Sequence, residues 1–429
     1  MPGHKGVDCL GMEHLDITEI QGADSLYEAN GIIAKSQANA SGLFGCRTLY
    51  STEGSSQCIR AMLYLISLYA KQKGKKPLIA AGRNAHKAFL TGIAMLDVDV
   101  CWLYPKKNAC YLSCQPTPEE LEGYLQNAQE KPVAIYLTSP DYLGMISDIR
   151  AMAEVCHRYD VLLAVDNAHG AYLKFLPTSM HPIDLGADIC CDSAHKTLPV
   201  LTGGAYLHLS AGMDTAVGEQ AKNALMLFGS TSPSYLVLQS LDASNQYLKH
   251  YREQLQNQIP KLDALKARLC GQGYKLYGSE VLKLTIQAKP YGYTGKQLAE
   301  LLRQKKIEPE FADPDYLVLM LSAETDDDIL MKLEQALCQI PPQPPICDES
   351  PTFAPGQQVM TIREAVLACS ELLPVEQCKG RILASPTVGC PPAVPILVSG
   401  EQIDAHAIAC FAYYGIDRCF VVQTSEGIP

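Results

Sequence analysis

Short apolar runs alternate with helical segments along residues 77–165, and no other feature of the sequence limits the fold as strongly. The predicted strands lie at 78–81, 98–104, 133–137 and 161–165, and the predicted helices at 86–96, 117–128 and 149–159. Strands that alternate with helices predict an α/β fold, in which a mostly parallel sheet carries helices on both faces. The apolar run before Ser193 and a second run at 205–209 predict further buried strands.

The remaining segments predict smaller units around this large domain. We expect an N-terminal arm at 1–30, a large domain at 31–245, a small α+β domain at 246–340 and a C-terminal α+β domain at 346–429. The proline-rich run 341–345 is typical of a stiff connector. The other predicted helices lie at 32–44, 58–73, 234–269, 294–305, 326–340 and 362–373, and the other predicted strands at 47–50, 274–288, 317–322, 395–398 and 419–422.

Composition excludes several classes of protein. The chain has 429 residues, with 35 Lys and Arg against 46 Asp and Glu, and its net charge of −11 argues against nucleic acid or an anionic membrane as the main partner. No apolar run reaches the roughly 20 residues of a membrane span, and no signal peptide opens the chain. The 17 cysteines are scattered without a CxxC pair, which favours reduced thiols in a cytoplasmic protein and disfavours a zinc site.

Polar residues follow the predicted strands at the edge where α/β sheets bind their ligands. Lys196 follows one of these strands, and a desolvated lysine has a lowered pKa and a free amine that condenses with aldehydes. The alternative is a lysine at the rim that points to solvent. Asp166 follows another strand, where it could equally cap a turn. His86 opens a helix, where it could simply pack.

Ser51 to Ser56 lie between a strand and a helix start, where exposed N–H groups and the positive helix end bind anions. A plain turn with a serine cap explains the same residues. Taken together, however, these residues place an acid, histidines, a lysine and an anion-binding loop (Ser51 to Ser56, the anion loop) at one edge of the sheet. Pyridoxal phosphate requires such a set: a lysine for the Schiff base, a carboxylate for the ring nitrogen and a cradle for the phosphate.

Eight stretches of the first 242 residues form a recognisable series of motifs: MPGHKG (1–6), DITEIQGADSL (16–26), STEGSS (51–56), RNAHKA (83–88), TSPDYLGMISDI (138–149), VDNAHGAY (165–172), SAHKTLPVLTGGAYLH (193–208) and TSPSYLVLQSLD (231–242). Through these motifs the chain resembles the Orn/Lys/Arg decarboxylase family, and in particular its shorter bacterial members. The resemblance is dense up to about residue 245 and thinner beyond it, where TGKQLAELL (294–302) and GCPPAVPILVSGE (389–401) still match. It implies the fold of the aspartate aminotransferases and pyridoxal phosphate as cofactor.

The resemblance also implies a role for each matching residue. Lys196 would carry the cofactor, Asp166 would pair with its ring nitrogen, His86 would stack on the ring, and His169 would lie near the ring oxygen or the substrate. The phosphate would be held by Ser51, Gly54, Ser55, Ser193 and His195. A homodimer or a higher even oligomer is expected, in which Ser230 to Ser232 reach the partner's phosphate.

The sequence departs from the family pattern at several positions, of which Asn167 matters most. Asn167 stands where the family usually has glutamate. Because Asp166, and not residue 167, would pair with the ring nitrogen, we expect Asn167→Glu to have a mild or favourable effect. Ala85 and Ala194 also replace commoner residues of their motifs.

The resemblance implies decarboxylation of arginine, lysine or ornithine to a polyamine or its precursor. The distal cation of such a substrate needs a carboxylate, and Glu308, Glu310 and Asp313 lie close together in the sequence. Glu310 is the predicted substrate residue, although three neighbouring acids also describe a solvated face. Two other functions stay open: a family member that binds cofactor as a regulatory or structural partner, and a different reaction such as that of an aldolase or transaminase.

Overall fold

The computed structural model describes residues 1–106, 109–213, 215–385, 389–390 and 394–423. The large unit contains α1 (Ile32–Phe44), β1 (Arg47–Ser51), α2 (Gly54–Gln72), β2 (Leu78–Gly82), α3 (Lys87–Leu96), β3 (Asp99–Leu103), α4 (Pro118–Asn127), β4 (Ala134–Thr138), α5 (Ile149–Arg158), β5 (Leu162–Asp166), β6 (Ile189–Asp192), α6 (Ala194–Thr197), β7 (Ala205–Leu209), α7 (Thr215–Glu219), α8 (Ala221–Met226) and α9 (Tyr235–Gly271). The predicted α/β class is confirmed.

The seven strands of this unit form one sheet in the order β1-β7-β6-β5-β4-β2-β3. Only β7 runs against its neighbours β1 and β6 in this sheet, and the pairs among β6, β5, β4, β2 and β3 are parallel. Because β7 reverses the direction twice, β1 runs the same way as the parallel strands. The carboxyl ends of β1, β2, β4, β5 and β6 therefore meet at one edge of the sheet.

Helices cover both faces of the sheet, so its strands are apolar throughout rather than alternating. Ile79 and Ala81 of β2 pack in one cluster with residues of α2 and α3, while Ala80 between them packs with residues of α4 and α5. Thr117 begins α4 with a reciprocal capping box to Glu120. In the described part of the chain, no helix is long and apolar enough to cross a membrane.

The remaining elements lie in two stretches that follow α9. The first contains β8 (Lys275–Tyr277), β9 (Lys283–Gln287), α10 (Gly295–Gln304), β10 (Phe311–Ala312), β11 (Tyr316–Met320) and α11 (Asp327–Cys338), with the strands in the order β10-β11-β9-β8. The second contains β12 (Gln357–Gln358), α12 (Ile362–Leu367), β13 (Ser370–Pro374), β14 (Gly389–Cys390), β15 (Val394–Pro395), β16 (Glu401–Gln402), α13 (Ala405–Tyr414) and β17 (Arg418–Val422).

The sequence-based prediction was wrong in parts of these stretches. The helix predicted at 362–373 ends at Leu367, because the next residues form β13 and pair with β17. The strand predicted at 274–288 is two antiparallel strands, joined by a turn in which Gly278 has φ +84°. Helix α13 was not predicted.

The strand predicted at 395–398 is also wrong beyond Pro395, although Ile396, Leu397 and Val398 are buried. The carbonyl oxygens of Pro395 and Ile396 accept hydrogen bonds from the side chain of Arg83, and the N–H of Val398 donates to the carboxylate of Glu401. Side chains therefore satisfy backbone groups that a strand would pair with another strand.

The turn that precedes β7 fixes the start of α2. Gly203 has φ +98°, and its carbonyl oxygen accepts a hydrogen bond of 2.7 Å from the N–H of Gly54. A Cβ at position 203 would lie 2.7 Å from the carbonyl oxygen of Thr52. Only glycine fits this conformation without moving the loop between β1 and α2.

We expect Gly203→Ala to lower the midpoint of thermal unfolding, because alanine at positive φ costs about 1–2 kcal/mol before the contact with Thr52 is counted. The matched control is Gly123→Ala in α4, where no described heavy atom lies within 4 Å of the added Cβ. That change should stabilise the protein by up to about 1 kcal/mol. Calorimetry of both variants is the measurement, and equal midpoints for the two would contradict the role of Gly203.

Candidate active site

A cavity of about 250 Å³ opens at the carboxyl edge of the sheet. Its wall is formed by Ser55, Asn84, His86, Leu112, Thr138, Tyr142, Asp166, Ala168, His169, Lys196, Glu310 and Val394. Six residues predicted from the sequence therefore meet here: Lys196, Asp166, His86, His169, Ser55 and Glu310. A second cavity of about 470 Å³ lies between β3 and residues 356–401, but its wall contains neither the lysine nor the histidines.

Lys196 projects into this cavity from α6, the single helical turn that follows β6. Its Nζ lies 3.0 Å from Nε2 of His169. Burial lowers the pKa of Lys196, while the carboxylates of Asp166 and Glu310 act in the opposite direction. The net downward shift favours the uncharged amine, which is the form that reacts with an aldehyde.

Asp166 is the last residue of β5 and is 2% exposed. Its Oδ1 accepts a hydrogen bond of 3.2 Å from the N–H of Ala168, and its Oδ2 accepts one of 3.3 Å from the hydroxyl of Tyr136. Burial raises the pKa of Asp166, and the positive charge of Lys196 opposes that shift. The protein therefore stabilises the negative charge of Asp166 only in part, and a cationic ring nitrogen in the cavity would stabilise it further.

Both histidines of the cavity favour the neutral form. Burial lowers the pKa of His169 well below its usual value, and its Nδ1 has no hydrogen-bond partner among the described residues. Burial also lowers the pKa of His86 to about 4. His86 caps α3, since its Nδ1 accepts a hydrogen bond of 3.1 Å from the N–H of Ala88, and it lines the cavity as well.

The anion loop begins α2 at the same edge. Gly54 has φ +72°, and Glu53 before it makes no side-chain cap to the helix within the described structure. Because the N–H of Gly54 already donates to the carbonyl oxygen of Gly203, the N–H groups of Ser55 and Ser56 are the ones that remain at this helix start for an anion. Ser55 lines the cavity and accepts a hydrogen bond of 2.8 Å from the hydroxyl of Ser193.

Of the five predicted phosphate residues, only Ser55 lines the cavity wall, and Ser51, Gly54, Ser193 and His195 lie outside it. The hydroxyl of Ser51 donates a hydrogen bond of 3.1 Å to the carbonyl oxygen of Gly54, so its hydrogen-bond partner lies within the same loop. Nδ1 of His195 lies 2.9 Å from the carbonyl oxygen of Gly204. Their contact with a phosphate stays a prediction, as does that of Ser230, whose N–H donates to Glu53 of the same chain at 2.6 Å.

Of the three acids weighed for the substrate cation, only Glu310 lines the cavity wall. Its Oε1 accepts a hydrogen bond of 3.1 Å from the hydroxyl of Tyr142, whose ring packs edge-on against His169 at 5.1 Å. Glu308 pairs with Arg303 at 3.0 Å, and Asp313 accepts the N–H groups of residues 315 and 316. Burial raises the pKa of Asp313 to about 6.

Several wall residues were not among the predicted site residues. Thr138 is the last residue of β4, and Asn84 and Tyr142 lie two and four residues beyond the ends of β2 and β4, so their position in the sequence marks them for the carboxyl edge. Leu112 and Val394 carry no such signal. They reach the cavity through long-range packing with the C-terminal stretch.

Asn167 directly follows Asp166 of the cavity wall and belongs to a buried network. Its Nδ2 donates to Oδ1 of Asp192 at 2.6 Å, and Oδ2 of Asp192 lies 3.1 Å from Nε2 of both His181 and His208. All four side chains are fully buried. Although burial opposes the shift, the two histidines lower the pKa of Asp192.

This geometry reverses the expectation that Asn167→Glu is mild. A glutamate would replace the donating amide by a second carboxylate beside Asp192, and two buried carboxylates repel. We expect Asn167→Glu to destabilise the protein by roughly 2–4 kcal/mol, measured by calorimetry. Repulsion raises the folded-state pKa of the new carboxyl group, so the loss should grow as pH rises above about 4.3, the pKa of glutamate in the unfolded chain, and should be complete above the raised folded-state pKa.

The double variant Asn167→Glu/Asp192→Asn is the control, because it restores one carboxylate and one amide at the same contact. It should recover part of the lost stability. A single variant as stable as the original protein at pH 8 would contradict the described contact.

Comparison with known proteins identifies the family. The model for the major domain of Orn/Lys/Arg decarboxylase matches residues 9–271, and the model for its C-terminal domain matches residues 351–421. Arginine decarboxylase of Bacillus subtilis (strain 168) is 29% identical, over 99% of this chain and 92% of the relative. Arginine decarboxylase of Halalkalibacterium halodurans is 28% identical, over 95% of this chain and 88% of the relative.

The fold is also that of solved decarboxylases. Lysine decarboxylase A from Pseudomonas aeruginosa matches with a TM-score of 0.78 at 15% sequence identity, over 98% of this chain and 77% of that chain. The lysine, the neutral histidines, the buried carboxylate and the anion loop fit pyridoxal phosphate, which is the cofactor. The chain belongs to the Orn/Lys/Arg decarboxylase family and is a pyridoxal-phosphate-dependent decarboxylase.

Proposed function

We propose that the protein decarboxylates a basic amino acid, with arginine as the preferred substrate, and gives a polyamine or its precursor. The observation that carries this proposal is the contact of 3.0 Å between Lys196 and His169, in a cavity that also holds Asp166 and Glu310. Relatives that are named arginine decarboxylases and match nearly the whole chain support arginine over lysine and ornithine.

Each residue of the cavity has a role in this proposal. When bound, pyridoxal phosphate supplies the sink for the electrons of the broken carbon–carbon bond. Lys196 holds the cofactor through its amine, and Nε2 of His169 lies where it can accept or return a proton at Nζ. The carboxylate of Asp166 holds the proton of the ring nitrogen. His86 provides a neutral, flat ring on the cavity wall.

The phosphate is held at the start of α2. The N–H groups that follow Gly54 at the start of that helix would bind the anion, together with the hydroxyls of Ser55 and Ser193, which are hydrogen-bonded to each other. Ser51 and Gly54 hold the loop through the hydrogen bonds from Ser51 to Gly54 and from Gly54 to Gly203, and His195 contacts the carbonyl oxygen of Gly204.

The distal cation of the substrate pairs with Glu310. A guanidinium binds a carboxylate through two parallel hydrogen bonds, which fixes the side chain of arginine better than that of lysine. The hydroxyl of Tyr142 holds one oxygen of Glu310 and so orients the carboxylate at the cavity mouth.

The proposal includes a homodimer in the cytoplasm. Several apolar side chains of the first 32 residues are exposed to solvent in the single chain, among them Leu10 at 79%, Val7 at 63% and Ile32 at 57%. A partner subunit would cover them. The described cysteines form no disulfide among themselves, which supports a reducing compartment.

We expect the protein with added pyridoxal phosphate to release CO2 from arginine faster than from lysine or ornithine. Borohydride should fix the cofactor on Lys196, and Lys196→Ala should abolish both the fixed adduct and the release of CO2. Peptide mass spectrometry locates the adduct. A cofactor fixed on another lysine, or no release from any of the three amino acids, would refute the proposal.

We expect Glu310→Gln to raise KM for arginine by about 10-fold or more, because a hydrogen bond to a charged group contributes roughly 1.5–3 kcal/mol. The matched control is Glu308→Gln, two residues away, which removes a carboxylate that pairs with Arg303 outside the cavity wall. Steady-state kinetics separates the two variants. Equal KM values for both would show that Glu310 does not bind the distal cation.

A further inference from the structure

The C-terminal stretch supplies part of the cavity wall, and one buried ion pair connects it to the large unit. Arg83 follows β2 and directly precedes Asn84, a residue of the cavity wall. Its Nη2 lies 3.1 Å from Oε2 of Glu401, and the two side chains are 1% and 2% exposed. Nothing in the proposed chemistry uses this pair.

Arg83 also binds the backbone next to the cavity. Nη1 donates to the carbonyl oxygen of Pro395 at 3.0 Å, and Nη2 donates to that of Ile396 at 3.2 Å. Glu401 accepts the N–H of Val398 at 2.7 Å. The pair therefore fixes both ends of a four-residue segment, and the residue directly before that segment is Val394, which lines the cavity.

Aromatic rings hold the guanidinium in place. Its central carbon lies 5.4 Å from the ring centroid of Trp102 on β3 and 5.5 Å from that of Phe353, which precedes β12. A cation between two rings is stabilised by both, and it also bridges the two parts of the chain that carry them. The contact is therefore built at the junction of the large unit and the C-terminal stretch.

A second contact joins the same two parts of the chain. The hydroxyl of Tyr111 lies 3.1 Å from Nε2 of His406 and 3.3 Å from Sγ of Cys410, both on α13. The next residue, Leu112, lines the cavity. Leu112 and Val394, the two large aliphatic side chains of the wall, thus each adjoin a residue that connects the C-terminal stretch to the large unit.

We propose that Leu112 and Val394 form the surface that contacts the methylene stem of the substrate, and that the Arg83–Glu401 pair is the positioning element that holds it closed. This inference rests on the proposed function, since it assumes a basic amino acid as substrate. Ornithine, lysine and arginine differ in the length of the methylene stem and in the charged group at its end. An apolar wall of fixed position selects among such stems by how well each fills the space against it.

The first test uses Val394→Ala in the enzyme loaded with pyridoxal phosphate. A smaller side chain leaves more room against the stem, so the ratio of kcat/KM for arginine to kcat/KM for ornithine should change by about 3–10-fold, while cofactor binding measured by absorbance stays unchanged. An unchanged ratio in a variant that binds cofactor normally would overturn the assignment of the stem surface.

The second test uses Glu401→Gln and reads closure without any substrate. Hydroxylamine removes pyridoxal phosphate from its lysine, and the rate reports access to the cavity. We expect Glu401→Gln to raise that rate several-fold, because Arg83 loses its charged partner. The matched control is Glu371→Gln, which breaks a pair of 2.7 Å with Arg381 inside the C-terminal stretch and should leave the rate unchanged.

These outcomes separate this inference from the proposed function. If the original protein releases no CO2 from any basic amino acid, the proposed function and the stem surface fail together. A hydroxylamine reaction that is faster in Glu401→Gln but not in Glu371→Gln would still support closure by the ion pair. If the original protein is active but Glu401→Gln and Glu371→Gln react with hydroxylamine at the original rate, the positioning role of the pair is refuted.

Discussion

The uncharged state of one amine is the condition on which the rest of this site depends. Lys196 needs a free Nζ to hold an aldehyde cofactor, and water would keep that amine protonated at neutral pH. Burial lowers its pKa, and the neutral ring of His169, 3.0 Å away, adds no competing charge. The buried carboxylate of Asp166 acts against this, since it favours the ammonium form. A cationic cofactor ring beside Asp166 would remove that opposition, so binding of the cofactor and activation of the lysine support each other.

The direction of a single strand brings these groups together. Because β7 is antiparallel to both of its neighbours, β1 ends at the same edge as β5 and β6. The anion loop after β1 then lies beside Ser193 after β6, and their contact is the hydrogen bond between Ser193 and Ser55. Gly203 and Gly204 precede β7 and allow the loops to approach closely. The phosphate cradle is thus a property of the sheet topology rather than of the Ser51 to Ser56 segment alone.

The sequence predicted the parts of the site that depend on strand ends, and missed the parts that depend on distant contacts. Lys196, Asp166 and His169 follow strands whose apolar runs are plain in the sequence, and the structure places all three in one cavity. Which hydroxyl of the anion loop faces that cavity was not predictable, because Ser51 turns to a carbonyl oxygen of its own loop. Residues 395–398 were assigned to a strand because the hydrogen-bond partner of the Pro395 and Ile396 carbonyl oxygens is Arg83, more than 300 residues away in the sequence. Val394, which directly precedes this segment, was missed as a wall residue.

The buried charged side chains near the cavity are paired with one another. Asp192 is bound by two histidines and by Asn167. Lys283 pairs with Glu280 at 2.7 Å and donates to the carbonyl oxygen of Asp141, the residue before Tyr142. Arg83 and Glu401 hold the C-terminal side. Buried ion pairs add little net stability but are costly to break, so they fix position more than they stabilise the fold. Lys196 and Asp166 make no direct ion pair between them in the described structure. The charges that bind the cofactor therefore stay available to it, while the surrounding pairs hold the wall against which it binds.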